Sequence, residues 1–142
     1  MPDRVIRVSA AVIVDDDGHV LVVRKRGTTA FMQPGGKIDA GETPLIALLR
    51  ELREELEVVV AAGQAHALGT RTAKAANEPG HVVQAELFLV ELADQPHPSA
   101  EIAEMTWIDP DAPVAVELAP LTRDVVFPLV RGLHAGTAKP SC

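Results

Sequence analysis

The segment from Gly36 to Val58 constrains the fold more than any other part of the chain, because its side chains sort onto two sides of one helix. Glu51, Glu54 and Glu55 stand at offsets of zero, three and four, which on an α-helix places the three carboxylates within about 100° of one another. A neighbouring stripe of the same helix is made of leucines: Leu45, Leu48, Leu49, Leu52 and Leu56. The pattern predicts a helix with one apolar side that packs on a core and a separate acidic side.

Three carboxylates at this spacing repel one another. At ~5 Å and an effective dielectric constant of ~20, each pair costs on the order of 3 kcal/mol. A hard divalent cation bound between them would offset this repulsion, and so would a raised proton affinity. The alternative is a solvated acidic helix face that forms salt bridges with Arg50 and Arg53. The helix alone leaves both interpretations open.

The loop in front of the helix favours the cation-binding interpretation. Residues 34–36 read Pro-Gly-Gly, so backbone carbonyls there can approach an ion without side chains in the way. Thr43 is predicted to cap the helix and Pro44 to open its first turn, while Glu42 can reach Arg50 and tie loop to helix. We therefore expect a rigid loop–helix unit whose oxygen-lined cavity suits Mg²⁺ or Mn²⁺.

This loop–helix pattern resembles the Nudix box, the signature of the Nudix hydrolase family. The matching residues, in order, are Gly36, Glu42, Arg50, Glu51, Leu52, Glu54, Glu55 and Val58. One position departs, because Glu57 stands where the family has glycine. A non-glycine residue in a left-handed helix cap costs about 1 kcal/mol, or else the helix ends differently. The resemblance extends more weakly from about Arg4 to Leu133, and it implies an α/β/α sandwich with a mixed β-sheet.

Metal ligation is the first role that the resemblance implies. The ligands to Mg²⁺, or to Mn²⁺ as the alternative, would be the side chains of Glu51, Glu54 and Glu55 and the carbonyl of Gly35. No Ser/His/Asp or Cys/His set suggests a protein nucleophile, so direct attack by water is the simplest mechanism.

The remaining catalytic roles fall on residues that surround those ligands. By resemblance, Glu42 and Arg50 would brace the box and Lys37 would face the phosphates. The group that takes the proton from water is expected to be Glu54, with Glu101, in a later loop, as the alternative. A solvated loop carboxylate is the competing interpretation of Glu101.

A further set of candidate substrate-binding residues lies ahead of the box. Arg24 and Arg26 are predicted to share one face of a strand, with Lys25 on the other. In an acidic chain this basic patch could bind a polyphosphate, although solubilising edge charges are an equally good interpretation. Phe31 is predicted either to stack on a base or to pack against the core.

Strands are predicted at residues 5–14, 20–26, 58–72 (interrupted near Gly63), 82–92 and 105–108, and helices at residues 43–56 and 121–133. The second helix is expected to bend at Pro128. Residues 15–18, Asp-Asp-Asp-Gly, are predicted to form a hairpin turn and not a calcium loop. This order gives an α/β fold with a single domain over residues 1–142.

Composition limits the partners and the location of the protein. The net charge of −7 argues against a protein that coats nucleic acid, and no apolar run is long enough to span a bilayer. Cys142 is the single cysteine, which fits a reducing compartment, and no export segment is recognised. We expect a cytoplasmic protein that binds a small-molecule nucleotide and no nucleic acid or membrane, and we leave a homodimer open.

Substrate class follows by exclusion within the family resemblance. The chain has no tyrosine, so the tyrosine mark of diadenosine-polyphosphate hydrolases is missing. The NADH-type array is absent after the box, and Pro79 comes too late for the ADP-ribose-type mark. The remaining resemblance is to MutT-like enzymes that split a nucleoside triphosphate, with an oxidised purine as one candidate, into nucleoside monophosphate and pyrophosphate. The alternatives are an ADP-ribose or nucleotide-sugar pyrophosphatase and a non-catalytic nucleotide-binding module.

Overall fold

A ten-residue strand, β1 (Arg4–Ile13), lies in the middle of the main sheet. The structure, a computed structural model, describes residues 4–138, and side chains up to residue 133. Residues 9–13 are buried, as expected for a strand with packed layers on both faces. β1 pairs in parallel with β5 (His81–Val90) and antiparallel with β3 (Gly35–Lys37), and β4 (Ala65–Lys74) pairs antiparallel with β5. The sheet is therefore mixed.

The remaining elements cover this sheet. β2 (Val20–Lys25) and β6 (Ile102–Ile108) form a separate antiparallel pair. Helix α1 (Pro44–Leu56) follows β3, and helix α2 (Phe127–Ala138) ends the described chain. Of the helices in the described residues, none is long and apolar enough to cross a membrane. Cys142 lies outside the described residues.

Two apolar clusters lie on opposite faces of β1. On one face Ala11 and Ile13 pack with buried leucines of α1, namely Leu48, Leu52 and Leu56. On the other face Ala10 and Val12 share a cluster with buried residues at the start of α2 and just before it, namely Val126, Phe127 and Val130. The predicted α/β/α sandwich and the predicted leucine stripe are both confirmed. Each face of the sheet carries one helix, and the acidic side of α1 is left beside β3.

Both ends of α1 have defined caps. Thr43 Oγ1 accepts a hydrogen bond from the Ile46 N–H at 3.1 Å, and Pro44 opens the first turn. At the other end Glu57 adopts the left-handed conformation with φ of 57°, and its N–H donates to the Arg53 carbonyl at 3.2 Å. The helix therefore ends as it would with glycine, and Glu57 carries the conformational strain.

Replacing Glu57 by glycine is expected to raise the free energy of unfolding by about 1 kcal/mol, because glycine adopts this conformation without a Cβ clash. Urea unfolding of the wild type, Glu57→Gly and Glu57→Ala measures the effect. Alanine removes the charge but keeps the Cβ, so its variant should show no such gain. Equal stabilities of the glycine and alanine variants would contradict the assignment of strain to Glu57.

Strand β3 was not predicted, and several element boundaries differ from the prediction, most of all the starts of β4 and β6. The strand predicted over residues 58–72 begins at Ala65, because Ala62–Gln64 form a 3₁₀ turn that the Gln64 side chain closes on the Ala61 N–H at 2.9 Å. The strand predicted at residues 105–108 begins at Ile102, paired with Lys25. The hairpin turn at residues 15–18 is confirmed, with Asp15 accepting hydrogen bonds from the Asp17 and His19 N–H groups.

The second helix begins with a π-helical turn over Thr122–Val126. The Phe127 N–H donates to the Thr122 carbonyl, five residues back, and Pro128 has no N–H to donate. Pro128 therefore lies in the first turn of α2, directly after the π-helical turn, and the bend predicted at this residue stays a prediction. Turns of this kind are frequent at functional sites, and this one lies beside the groove described below.

Candidate active site

Gly35 lies in β3 opposite Ala10 of β1, where the two backbones approach closely. A Cβ added there would lie 2.1 Å from the Ser9 carbonyl oxygen, and the residue has φ of +144°, so no other residue fits without moving backbone. Its N–H donates to Glu55 Oε1 at 3.0 Å. The close approach of β3 to β1 therefore fixes the start of the box, and Gly35 orients one carboxylate of α1.

Glu55 is the most buried of the three box carboxylates, with 2% of its surface exposed. Burial raises its pKa to about 7, although the Gly35 hydrogen bond lowers it. Its second oxygen, Oε2, is buried and has no hydrogen-bond partner. A buried carboxylate oxygen without a hydrogen-bond partner lowers stability, and such an oxygen is a suitable ligand for a hard divalent cation. The residues present therefore fit a divalent metal ion.

Glu51 occupies the space that the missing side chain of Gly36 leaves free. A Cβ on Gly36 would lie 2.5 Å from Glu51 Oε2, and Arg50 Nη1 donates to Glu51 Oε1 at 2.5 Å. Burial raises the pKa of Glu51, against the lowering effect of Arg50. Glycine at residue 36 thus forms the cradle in which this carboxylate is held.

Arg50 ties the loop to the helix, as predicted from the spacing. Its Nε and Nη2 donate to the two carboxylate oxygens of Glu42, each at 2.8 Å, and Nη2 also donates to the Lys37 carbonyl at 3.1 Å. The Arg50 hydrogen bonds lower the pKa of Glu42 to about 2, helped by the Asp39 N–H. A bidentate pair of this kind fixes the orientation of the two side chains and also balances their charges.

The lowered pKa of Glu42 predicts a pH dependence of stability. A carboxyl group whose pKa falls from 4.5 to about 2 on folding stabilises the fold fully above pH 4.5 and loses that effect as the pH falls toward 2. Denaturant unfolding at pH values from 7 to 2.5 should therefore show a steeper acid loss for wild type than for Glu42→Gln. Glu78→Gln, in the β4–β5 connection, is the matched control and should follow the wild type. Parallel curves for wild type and Glu42→Gln would contradict the assignment.

Glu54 stands apart from the other two box carboxylates. Its side chain is 56% exposed and its Oε2 lies 4.0 Å from Arg50 Nη1. Within residues 4–138, no three His, Cys, Asp or Glu side chains are already arranged as a metal site. The structure thus brings Glu51 and Glu55 to Gly35 and Gly36, and leaves the side chain of Glu54 facing solvent on the same helix.

The loop before β6 brings Glu101 to the same end of α1. The Ser99 N–H donates to the Glu55 carbonyl at 2.9 Å, and Ala100 has φ of +52°, a strained conformation for alanine. Glu101 Oε1 lies 3.8 Å from Lys25 Nζ, with its side chain 64% exposed, and its charge helps to raise the pKa of Glu55. The later loop is therefore anchored on the box helix.

Lys25, and not its two arginine neighbours, lies on the side of the box. β2 ends at Lys25, and its pairing with β6 has a register shift between Arg24 and Lys25. Arg24 donates to Glu104 Oε1 at 2.6 Å and to the Thr28 carbonyl at 2.8 Å, and the Arg26 N–H donates to the Glu101 carbonyl at 2.8 Å. Neither arginine lines the groove described next. The substrate contacts of Arg24 and Arg26 stay predictions, and Lys25 is the residue of this basic patch that lines the groove.

Phe31 belongs to the core. It is 6% exposed and packs in the cluster on the α2 face of the sheet, and its backbone bonds to Glu117 and Ala119. A ring closed in this way offers no face to a base, so the core alternative is correct for Phe31. The partly buried Trp107 packs against the opposite cluster.

A groove on the α2 face of the sheet runs beside Gly35 and Gly36, with a volume of about 140 Å³. Three of the four lysines in the chain line it, namely Lys25, Lys37 and Lys74. Apolar side chains such as Val8, Val83 and Leu121 form much of its wall. Sequence patterns missed Lys74 and Gln33 as lining residues, because strands distant in the chain bring them together. A groove that combines apolar walls with lysines suits a ring joined to phosphates.

A family model matches most of the chain, and two curated relatives match shorter parts of it. A family model described as the NUDIX domain matches residues 4–129. The 8-oxo-dGTP diphosphatase of Haemophilus influenzae is 41% identical over 63 residues, 42% of this chain and 46% of that protein. The RNA pyrophosphohydrolase of Halorhodospira halophila is 51% identical over 45 residues, 32% of this chain and 25% of that protein. The matches span less than half the length of these two relatives.

Solved structures share the fold of this chain. The crystal structure of the MutT protein from Methanosarcina mazei Go1 superposes with a TM-score of 0.74 at 20% identity, covering 94% of this chain and 98% of that one. At this identity the likeness shows the fold alone. The family model, in contrast, spans the box, the braced Arg50–Glu42 pair and the buried Glu55. The chain belongs to the Nudix hydrolase family.

Proposed function

We propose that the protein hydrolyses the pyrophosphate linkage of a nucleoside triphosphate and releases nucleoside monophosphate and pyrophosphate, with Mg²⁺ as cofactor and Mn²⁺ as the alternative. The observation that carries this proposal is the pair of carboxylates formed by the buried Glu55 and the partly buried Glu51, next to a lysine-lined groove. Glu55 Oε2 has no partner within the described residues. Two relatives are named RNA pyrophosphohydrolase and 8-oxo-dGTP diphosphatase, and these names support hydrolysis of a pyrophosphate linkage by this chain.

The metal would be held by Glu51, Glu54 and Glu55 with the Gly35 carbonyl, and Glu54 must turn inward from its exposed position to join them. When bound, the metal would neutralise phosphate charge and lower the pKa of a bound water. Arg50 keeps Glu51 in place through the hydrogen bond at 2.5 Å, and the Gly35 N–H does the same for Glu55.

The remaining steps depend on side chains of this chain. Lys25 and Lys37, which line the groove at the box end, neutralise and orient the phosphates. Glu54 takes the proton from the attacking water. Glu101 is the second candidate, because its loop is anchored on the Glu55 carbonyl through Ser99. Lys25 Nζ lies 3.8 Å from Glu101 Oε1, which keeps this side chain near the groove.

The alternatives differ in substrate or in turnover. ADP-ribose and nucleotide sugars contain the same kind of anhydride bond. The relatives named as RNA pyrophosphohydrolases suggest a triphosphorylated RNA as a further alternative substrate. A non-catalytic nucleotide-binding module would not need three box carboxylates. We place the protein in the cytoplasm as a small-molecule enzyme, and whether it works as a homodimer is left to measurement.

A substrate panel with Mg²⁺ separates these functions. It should contain the common nucleoside triphosphates, 8-oxo-dGTP, ADP-ribose, a nucleotide sugar and a 5′-triphosphorylated RNA, scored for phosphate and pyrophosphate release. Pyrophosphate release from a nucleoside triphosphate at the highest kcat/KM is the expected result. A higher kcat/KM for ADP-ribose, a nucleotide sugar or RNA would replace the proposed substrate, and binding without turnover of any compound would indicate the non-catalytic module.

A further inference from the structure

Lys25 brings a positive charge to the carboxylates of the box. Its Nζ lies 3.8 Å from Glu101 Oε1, and 31% of its side chain is exposed. It lines the groove together with Gly35 and Gly36, the two glycines that lie against box carboxylates. One ammonium group therefore lies near the loop carboxylate and near the box at the same time.

The backbone of Lys25 is held in place by two different contacts. The pairing of β2 with β6 shifts register between Arg24 and Lys25, so that Lys25 pairs with Ile102. The Lys25 carbonyl accepts hydrogen bonds from the Thr28 N–H at 3.1 Å and from the Thr28 hydroxyl at 2.8 Å. Irregularities in strand pairing re-aim side chains, and they are frequent next to active sites. The ammonium group thus approaches the box from a fixed backbone position.

The charge of Lys25 acts on two of the box carboxylates. Burial raises the pKa of Glu51 and of Glu55, and the Lys25 charge works against burial at both groups. A cation that stabilises these two groups as anions also repels any second cation that binds between them. Lys25 therefore has opposite effects on the carboxylates and on a metal ion that they would hold.

We propose that Lys25 lowers the affinity of the box for its divalent cation, an inference that rests on the proposed function and adds a residue that tunes its metal site. The ammonium group is a built-in counter-ion for Glu51, Glu55 and Glu101, and an incoming cation meets its repulsion. Mg²⁺ is usually bound in proteins by one or two carboxylates together with substrate phosphates. A box weakened by Lys25 favours that arrangement, because phosphates supply the negative charge that Lys25 has offset.

The test measures Mn²⁺ binding to the whole protein without nucleotide, by calorimetric titration and by the paramagnetic resonance signal of free Mn²⁺. Lys25→Met removes the charge and keeps an unbranched side chain, so Mn²⁺ should bind about 10-fold more tightly. Lys25→Arg keeps the charge and should retain the affinity of the wild type. A Lys25→Met protein that binds Mn²⁺ no more tightly than the wild type would overturn the inference. Tighter binding in Lys25→Arg as well would contradict an effect of charge.

Lys74→Met is the matched control, because it removes the same charge from a lysine of the same groove. Lys74 lies on β4, at the opposite edge of the sheet from β3. Three strand spacings separate these edges, roughly 14 Å, which exceeds the screening length of ~8 Å at physiological ionic strength. Its Mn²⁺ affinity should therefore match that of the wild type. An equal gain in Lys74→Met would assign the effect to net charge and contradict a local role for Lys25.

Thermal unfolding gives an independent result. At one Mn²⁺ concentration the rise in Tm over the value in excess chelator should be larger for Lys25→Met than for the wild type or Lys74→Met, because a tighter ligand stabilises the fold more. Equal rises in the three proteins would contradict the inference and leave the metal site standing. If neither the wild type nor Lys25→Met bound Mn²⁺, the metal site of the proposed function would be refuted, and the role of Lys25 with it.

Discussion

Glu54→Gln is expected to lower turnover by about 10²–10⁴-fold, the range typical for loss of a general base. The free energy of unfolding should change by less than about 0.5 kcal/mol, because the side chain is 56% exposed and its contact with Arg50 is 4.0 Å long. The variant therefore separates chemistry from folding. Turnover is measured with the best nucleotide of the substrate panel, and stability by urea unfolding.

Glu57→Gln is the matched control for this experiment. It removes the same charge three residues further along, from a residue that is exposed at the cap of the same helix. It should keep wild-type turnover. That result would show that loss of a negative charge near the end of the helix does not by itself lower turnover. Normal turnover in Glu54→Gln would remove Glu54 from the catalytic assignment, and the same substitution at Glu101 would then test the second candidate.

Gly35→Ala is expected to lower the free energy of unfolding by about 2–5 kcal/mol. The added methyl group would lie 2.1 Å from the Ser9 carbonyl oxygen, and φ at this residue is +144°. Backbone strain and overpacking of this kind each cost roughly 1–3 kcal/mol. The contact is with backbone in the central strand, so no side-chain rotation can relieve it. Urea unfolding measures the loss.

Gly36→Ala provides the contrast at the adjacent residue. Its Cβ would meet the end of the Glu51 side chain at 2.5 Å, and that carboxylate can move. We therefore expect stability within about 1 kcal/mol of wild type and turnover reduced by about 10²-fold, since a small misplacement of a catalytic group has this effect. Equal stabilities of the Gly35→Ala and Gly36→Ala variants would contradict the packing described for β3 against β1.

The box region was predictable because its signals are local. Offsets of three and four residues place Leu48, Leu52 and Leu56 on one side of α1, and the Thr43-Pro44 pair marks its start. The Arg50–Glu42 pair also follows from spacing, because Glu42 stands just before the start of α1 and Arg50 lies eight residues later on that helix. Helix α1 and the Arg50–Glu42 pair could therefore be predicted without knowing how the strands of the sheet are arranged.

Side-chain positions that depend on strand pairing and on contacts distant in the sequence could not be predicted in the same way. The pairing of β2 with β6 has a register shift between Arg24 and Lys25, and no local pattern marks that shift, so the sequence did not indicate which of these side chains lies beside the box. Phe31 looked like a binding residue because its burial comes from residues 117–119, almost ninety positions later. The groove joins β1, β4, β5 and the turn before α2, so no local pattern marked Gln33, Lys74 or Thr122.

The departure at Glu57 illustrates a limit of a different kind. The sequence left two outcomes open, a strained left-handed cap or a different helix end. The chain adopts the strained cap, with φ of 57° and the bond to the Arg53 carbonyl intact. The packing of Leu52 and Leu56 in the core holds the helix to its full length, and this packing outweighs about 1 kcal/mol of local strain.

The central claim is that a divalent cation binds between the acidic side of α1 and the Gly35 carbonyl. Crystals grown or soaked with Mn²⁺ and measured near its absorption edge test it most directly. An anomalous peak within about 2.5 Å of carboxylate oxygens of Glu51 and Glu55 and of the Gly35 carbonyl oxygen is the predicted result. No peak at these residues, together with nucleotide hydrolysis that persists in excess chelator, would contradict it.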